Sequence, residues 1–558
     1  MFKRAGTIII SAVIITFIFL SVSAQKPNDS LYSFIRLSSD IAFRISARYV
    51  DDVDAKELIY SGIKGMMNTL DPFSEFLEEV DYNKLQETTK GKYQGLGMTI
   101  MLKDEVVTVV APMEGTPAYR MGLKAGDQII KIDGKSTRGM STQEASSLMR
   151  GPAGTKVTLT IKRQGVDEAL EYTIERAVIE LKTVPFYTTF EANGKTLGYV
   201  RLARFGEEAK NELDVAFKEI MKENIDGLIF DLRSNGGGLL SQAVNVADYF
   251  LPKGAEVTST KGRTSDQNRT LYASDKPLIP DSVPVVILVN GMSASASEIV
   301  AGAIQDWDRG IIIGNDTFGK GLVQQVYPLS DDVALKLTTA KWYIPSGRCI
   351  QKDSRSKRHP DNMDIAEKNV DETEEKKDVF FTKGGRVVYG GGGVIPDIEV
   401  EEHKLNSLEL NLERLSMFFD FSIKYTTEHP DLREDFDVTP QIIDEFKQFL
   451  KEKDFSYKSQ IEKDYEKLKN TIEQANKTAE YSELLDDLKQ KVEIDKQREF
   501  DESIEYLSRS IKRDILTKLY GEKAVYRQIV LKTDPCVKKA VETLTSTDAY
   551  SNILESGG

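Results

Sequence analysis

Val283-Pro-Val-Val-Ile-Leu-Val289, Asn290-Gly-Met-Ser-Ala-Ser-Ala-Ser-Glu298 and Ile299-Val-Ala-Gly-Ala-Ile-Gln-Asp306-Trp307 follow one another without a break. The first run is apolar and β-branched, the pattern of a buried strand. The third carries apolar residues at helical spacing (Ile299, Val300, Ala303, Ile304), so the serine-rich stretch between them is a strand-to-helix turn. Outward from it, residues 196–200, 227–231 and 311–313 read as further buried strands, and 208–221 and 239–250 as helices. Alternation of this kind over residues 178–400 implies an α/β core.

The whole chain of 558 residues is too long for one core, and at roughly 150 residues per domain it holds three or four. A net charge of −14 repels a polyanionic backbone, so no nucleic-acid partner is expected. The two cysteines, Cys349 and Cys536, lie too far apart to suggest a disulfide framework or a cysteine metal site. Neither metal nor cofactor is expected. At the N-terminus Lys3 and Arg4 precede an apolar stretch over residues 7–22 that ends in Val22-Ser23-Ala24, small residues suited to a signal peptidase. A signal peptide over residues 1–24 and export to the periplasm or cell envelope follow as the expectation. The stretch falls short of the roughly 20 apolar residues that span a bilayer. The alternative is an uncleaved segment that anchors the chain in the inner membrane.

Four regions follow the leader. Residues 25–88 form a helical region, with Ile59, Ile63, Met66 and Leu70 in periodic positions before Asp71-Pro72. Residues 89–165 turn to short β-branched runs bounded by glycines, a compact and mostly β module. Residues 166–402 hold the α/β core, interrupted by a charged, apolar-poor insertion at 352–377. Residues 403–558 are rich in lysine and carboxylates with helical periodicity, a C-terminal helical domain.

Within the β module stand Tyr93-Gln-Gly95-Leu96-Gly97-Met98, Gly115-Thr-Pro117-Ala118, Gly126-Asp127 and Asp133-Gly134. In this order and spacing they resemble a PDZ domain of the bacterial protease type. A lone Gly-x-Gly also turns a hairpin, but the downstream turns favour a peptide site. There the N–H groups around Gly95, Leu96, Gly97 and Met98 would converge on the C-terminal carboxylate of a protein or peptide substrate, and the next strand would offer an edge for strand addition.

The serine turn supports two readings. A serine at a helix start has free N–H groups and the positive dipole end beside it, which suits a nucleophile. Ser295-Ala-Ser-Glu298 also fits a capping box that only ties off the helix. Downstream, Lys320 stands between Gly319 and Gly321, and strand spacing would put Lys320, Leu322 and Gln324 on one face. A lysine acts as a general base when burial keeps its amine neutral, and Phe318, Leu322 and Val323 are candidates to supply that burial. His359, His403 and His429 lie elsewhere, which disfavours a Ser-His-Asp triad. Residues 314–320 have P-loop spacing, but Gly321 stands where that loop needs Ser or Thr for magnesium.

Together with Tyr49-Val-Asp-Asp, Asp71-Pro72, Asp231-Leu-Arg233-Ser-Asn235-Gly-Gly-Gly, Thr317-Phe-Gly-Lys-Gly, Pro345-Ser-Gly347-Arg348 and Pro396-Asp397, these motifs resemble the carboxyl-terminal processing peptidases, PDZ-bearing serine proteases with a Ser-Lys dyad. The resemblance implies a multidomain α/β protein: a ClpP/crotonase-like protease core, an inserted, mostly β PDZ domain, and helical N- and C-terminal regions. It implies Ser295 as nucleophile, Lys320 as general base and Gln324 as the residue that orients the lysine. Asp306 matches a family position near the site and is read as structural support. The oxyanion would meet the Ala296 N–H and one from Gly237 or Gly238, in a turn where Gly236 replaces the family's proline. The function so implied is an exported endopeptidase that recognises C-terminal segments and cleaves through an acyl-enzyme. The alternative is a non-catalytic PDZ scaffold of the cell envelope. The helical C-terminal domain lies outside the shared core and offers a place for homo-oligomer or adaptor contacts.

Overall fold

The computed structural model describes residues 29–352 and 378–555, so the leader and nearly all of the charged insertion, His359 included, lie outside the described residues. The chain divides into two compact units, Met1–Tyr82 with Gln324–Thr338, and Asn83–Val323 with Thr339–Gly558.

In the first unit, helices Asp29–Arg48 and Ala55–Met67 are followed by the strand Glu75–Leu77, which pairs antiparallel with residues 334–336. Asp54 caps the second helix by accepting from the N–H groups of Lys56 (2.7 Å) and Glu57 (3.1 Å). Asp71 then gathers the amides of Phe73 and Ser74, at 2.8 and 2.9 Å, into the turn ahead of the strand. Much of the periodic apolar stripe stays in solvent: Ile59, Met66 and Leu70 are all exposed. Helical spacing therefore located the helix but not a core.

The second unit is built on a six-stranded sheet of Phe186–Ala192, Lys195–Arg201, Gly227–Asp231, Val285–Val289, Ile311–Gly314 and Ile398–Glu399 in that spatial order, antiparallel in its first pair and parallel thereafter. The central strands Gly227–Asp231 and Val285–Val289 are buried along their whole length, as parallel strands covered on both faces must be. Helices Ala209–Met221, Leu240–Ala247 and Ala296–Asp306 contribute to one hydrophobic cluster, with Phe217, Phe230 and Phe250 in mutual ring contact. On the other face lie Cys536, Val537, Ala540 and Leu544 of the helix Pro535–Thr545, packed with Leu197, Tyr199, Ile229, Val286, Leu288 and Ile313. The end of the C-terminal helical region is thus part of the core itself.

The PDZ domain is an antiparallel sheet of Met98–Lys103, Val106–Pro112, Gln128–Ile132, Lys156–Lys162 and Leu170–Glu175, with Lys135–Ser136 on its side. Its last strand lies beyond residue 165, where the sequence texture placed the boundary. Val107, Val109, Ile129, Leu159, Ile161 and Ile174 fill its core. The helices Ser407–Arg414, Met417–Glu428, Pro440–Glu452 and Ile504–Tyr520 gather around Phe418, Phe421, Phe446, Leu507 and Ile511.

Candidate active site

Three neighbouring parallel strands end on the same side of the core sheet, and each delivers one segment of the site. Asp231 is level with Leu288, and Val289 with Gly314. The glycine turn 232–238, the serine turn 290–297 and the lysine segment 315–320 therefore emerge side by side at the carboxyl ends of the strands, where open α/β sheets place their sites.

The outer serines of the turn are tied to the glycine turn. Ser293 Oγ donates to the Leu232 carbonyl (2.9 Å), and Ser297 Oγ to that of Asn235 (2.8 Å). The Ala294 N–H donates to the same Asn235 carbonyl at 3.0 Å, and the Ser234 N–H to Asn290 Oδ1 at 2.7 Å. Ser293 and Ser297 are fully buried, whereas Ser295 is half-buried. Ser295 also has φ 54° and ψ −111°, outside the extended geometry usual for a helix cap. Such a conformation costs on the order of 1–3 kcal/mol and persists only when its surroundings impose it. Sharp strained turns of this kind, between a strand and a helix, present nucleophilic serines in other hydrolase folds.

Gly237 is part of what imposes it. A Cβ there, at φ 95°, would stand 2.7 Å from the Ala294 carbonyl oxygen and 2.9 Å from both the Ala296 nitrogen and Ser295 Cβ. The Gly237 N–H donates to Asn235 Oδ1 at 2.9 Å. Gly238 follows at φ 151°, where an added Cβ would collide with the Phe205 carbonyl.

Glu298 joins the serine turn to the lysine segment. One carboxylate oxygen accepts from the N–H groups of Ser295 (2.7 Å) and Lys320 (3.0 Å). The other accepts from the Gly319 N–H (2.7 Å) and Thr317 Oγ1 (2.6 Å), while Thr317 Oγ1 itself accepts from the Val394 N–H at 2.7 Å. The side chain is fully buried, and burial pushes its carboxyl above the ordinary range against the pull of these donors. In the sequence Glu298 reads only as a capping residue. The available signal is the unbroken run of apolar and small residues over 299–304 that follows it, which marks a buried helix, so a glutamate in its first turn must find donors beyond the helix.

Lys320 is half-buried and precedes the strand Leu322–Pro328. Of the apolar neighbours expected to shield it, Leu322 and Val323 are half-buried, but the Phe318 ring is 48% exposed. Gln324 belongs to the first unit, where its Nε2 donates to the Phe73 carbonyl at 2.8 Å. Asp306 closes the far end of the helix Ala296–Asp306, about 16 Å from Ser295 at 1.5 Å per residue. There it pairs with the fully buried Arg348 (2.9 Å) and accepts the Ser346 N–H (2.8 Å), pinning the turn that holds Gly347.

In the PDZ domain, Gly95 ends a strand paired with residues 177–180, and the Leu96 side chain is buried in the domain core. The Leu96 carbonyl accepts from the Ala118 N–H and that of Gly97 from the Met113 N–H, both at 2.9 Å. Met98 opens the following strand.

Residues 196–361 match the model of peptidase family S41, residues 108–163 that of the PDZ domain, and residues 408–544 that of the probable PDZ-protease C-terminal helical domain. The chain is 43% identical over 324 residues to the carboxy-terminal-processing protease of Bartonella bacilliformis, a match covering 57% of this chain and 73% of that one. It is 38% identical over 303 residues to the carboxyl-terminal-processing protease of Synechocystis, covering 53% and 69%. With the carboxy-terminal processing protease CtpA of Bacillus subtilis the identity is 34% over 310 residues, covering 55% and 65%.

Proposed function

Because the chain belongs to peptidase family S41 and is a serine-type protease with a PDZ domain, we propose that it holds the C-terminal segment of a protein on that domain and cleaves the chain through an acyl-enzyme on Ser295. One observation carries the choice of serine. Ser293 and Ser297 are buried with their hydroxyls committed to backbone carbonyls, while Ser295 alone of the three is half-buried and strained.

In this reading Ser295 Oγ adds to the scissile carbonyl carbon as its proton passes to the neutral amine of Lys320. The tetrahedral oxyanion is met by backbone N–H groups before any charge can reorganise solvent. Since the Gly237 N–H is engaged by Asn235, Ala296 and Gly238 are the favoured donors. The intermediate collapses, the C–N bond breaks, and the leaving amine takes the proton from Lys320. Water then attacks the ester with Lys320 again as base, releasing the acid and restoring Ser295. The shared carboxylate of Glu298 supports this pairing, because it fixes the backbones of Ser295 and Lys320 to one group. Gln324 enters only through the family resemblance, four residues after the lysine.

The glycine-bounded loop Gly95–Met98 is the proposed receptor for a terminal carboxylate, its Leu96 and Gly97 carbonyls being turned to partners of its own domain. The charged start and apolar run of residues 3–22 support export to the cell envelope. The test is cleavage of a denatured protein by the full chain. Ser295→Ala and Lys320→Ala should each abolish it with circular dichroism and thermal midpoint unchanged. Normal turnover by either variant would reject the dyad.

A further inference from the structure

We propose that Asp534, in the C-terminal helical region, is a positioning residue for peptide-bond cleavage: it clamps Arg233 and through it the glycine turn that carries an oxyanion donor. The proposal rests on reading that turn as the oxyanion site.

Both Asp534 oxygens accept from Arg233 Nη1, at 2.8 and 2.9 Å. The opposite edge of the same guanidinium is taken by Asp231, with Nη2 at 2.7 Å and Nε at 3.1 Å. Asp231 also accepts the Arg233 backbone N–H at 2.9 Å and the Tyr199 hydroxyl at 2.7 Å. A planar guanidinium held by Asp231 along its Nε–Nη2 edge and by Asp534 at Nη1 cannot swing, so the backbone at the entry of the glycine turn is fixed in direction. Ser234, the next residue, has φ 53°, and Gly237 and Gly238 follow within five residues of the clamp.

Asp534 is itself held. It caps the helix Pro535–Thr545 by accepting the Val537 N–H at 3.0 Å, and that helix is packed on the core sheet through Val537, Ala540 and Leu544. The clamp therefore transmits the position of a rigid, sheet-bound helix to a turn 301 residues earlier in the chain. Charge points the same way. Arg201 lies 3.7 Å from Asp231, so Asp231 and Asp534 balance Arg201 and Arg233 in one partly desolvated group. Without Asp534 the group carries an unbalanced positive charge, and Arg233 keeps only its Asp231 edge. Asp534 lies outside residues 196–361, which match the peptidase family model.

Asp534→Asn is the discriminating variant, because asparagine is as good a helix cap as aspartate and keeps its volume while losing the charge and the two-oxygen grip. We expect kcat on a fluorogenic peptide to fall about tenfold with KM within about twofold, a loss that sub-ångström misplacement produces. Affinity for a peptide boronic acid, whose tetrahedral adduct draws on the oxyanion donors, should weaken by a similar factor. Arg233→Lys, which lacks the planar fork, should give the same signature and serves if Asp534→Asn folds poorly. Wild-type kcat and boronate affinity in a folded variant would overturn the proposal. So would a fall in kcat that merely follows the fraction of titratable sites while boronate affinity is unchanged, the mark of lost folding. Ser295→Ala is assayed alongside: cleavage retained there would reject the site reading itself, whereas cleavage lost there and normal in Asp534→Asn rejects the clamp alone.

Discussion

Glu298→Gln preserves the volume of the side chain and removes one acceptor oxygen. In the native protein that carboxylate serves four donors, two on each oxygen. If the glutamine oxygen stays with Thr317 and Gly319, its NH2 group faces the amides of Ser295 and Lys320, which are left without an acceptor. A buried donor stranded in this way costs about 1–3 kcal/mol, or about 2–6 kcal/mol for the pair. A neutral amide is easier to bury than a carboxylate, which returns part of that. The strained Ser295 turn loses the bond that opposes its relaxation, so kcat should fall about 100-fold or more with KM nearly unchanged. Steady-state cleavage of a fluorogenic peptide, with urea unfolding as the control, measures both effects. A kcat within about threefold of the parent would show instead that Glu298 works protonated and that glutamine imitates it. The pH dependence gives an internal check. Burial raises this carboxyl in the fold, so acidification through its folded pKa relieves a cost to folding while withdrawing an acceptor from the site. Activity should therefore fall on the acid side above the range of an ordinary glutamate, about 4.3, without a matching loss of stability from this group.

Gly237→Ala should leave the chain folded and nearly inactive, because the new methyl meets backbone at 2.7 and 2.9 Å and must displace the serine turn; turnover above about a tenth of the parent's would contradict this. Ser297→Ala should cost about 1 kcal/mol in urea unfolding and reduce kcat less than about tenfold, since it removes one structural hydrogen bond; complete inactivation would point to Ser297 in place of Ser295 as the nucleophile. Burial opposes ionisation of Asp231, but Arg233 and Arg201 prevail and bring its carboxyl to about 2. Against about 3.9 in the unfolded chain, this carboxylate contributes about 2–3 kcal/mol that is complete above about pH 5 and lost as pH falls toward 2. Urea midpoints between pH 5 and 2.5 should fall more steeply for the parent than for Asp231→Asn, and parallel slopes would remove Asp231 as the cause.

The strands at 227–231 and 311–314 were legible almost to the residue, because fully buried parallel strands are continuous apolar runs and leave no periodicity to misread. The helical character of the region ending near residue 88 was legible without its bounds, which the strand Glu75–Leu77 interrupts, and the apolar stripe of the helix ending at Met67 is largely exposed, since spacing reports a face and not what covers it. The reading of residues 403–558 as one helical domain missed that the helix Pro535–Thr545 belongs to the core sheet. Amphipathicity shows that a helix has a partner without showing which.

Local pattern and motifs read in order are enough for the α/β class, the PDZ domain and the short set of residue types from which a serine protease site could be built. They could not rank Ser293, Ser295 and Ser297 by chemistry, extend Glu298 beyond a cap, or connect Asp534 to Arg233. Tertiary packing separates the three serines by burial and hydrogen bonding and gives Glu298 its partners, because the register of three parallel strands brings their carboxyl ends together, while the docking of the helix Pro535–Thr545 on the sheet carries Asp534 to Arg233.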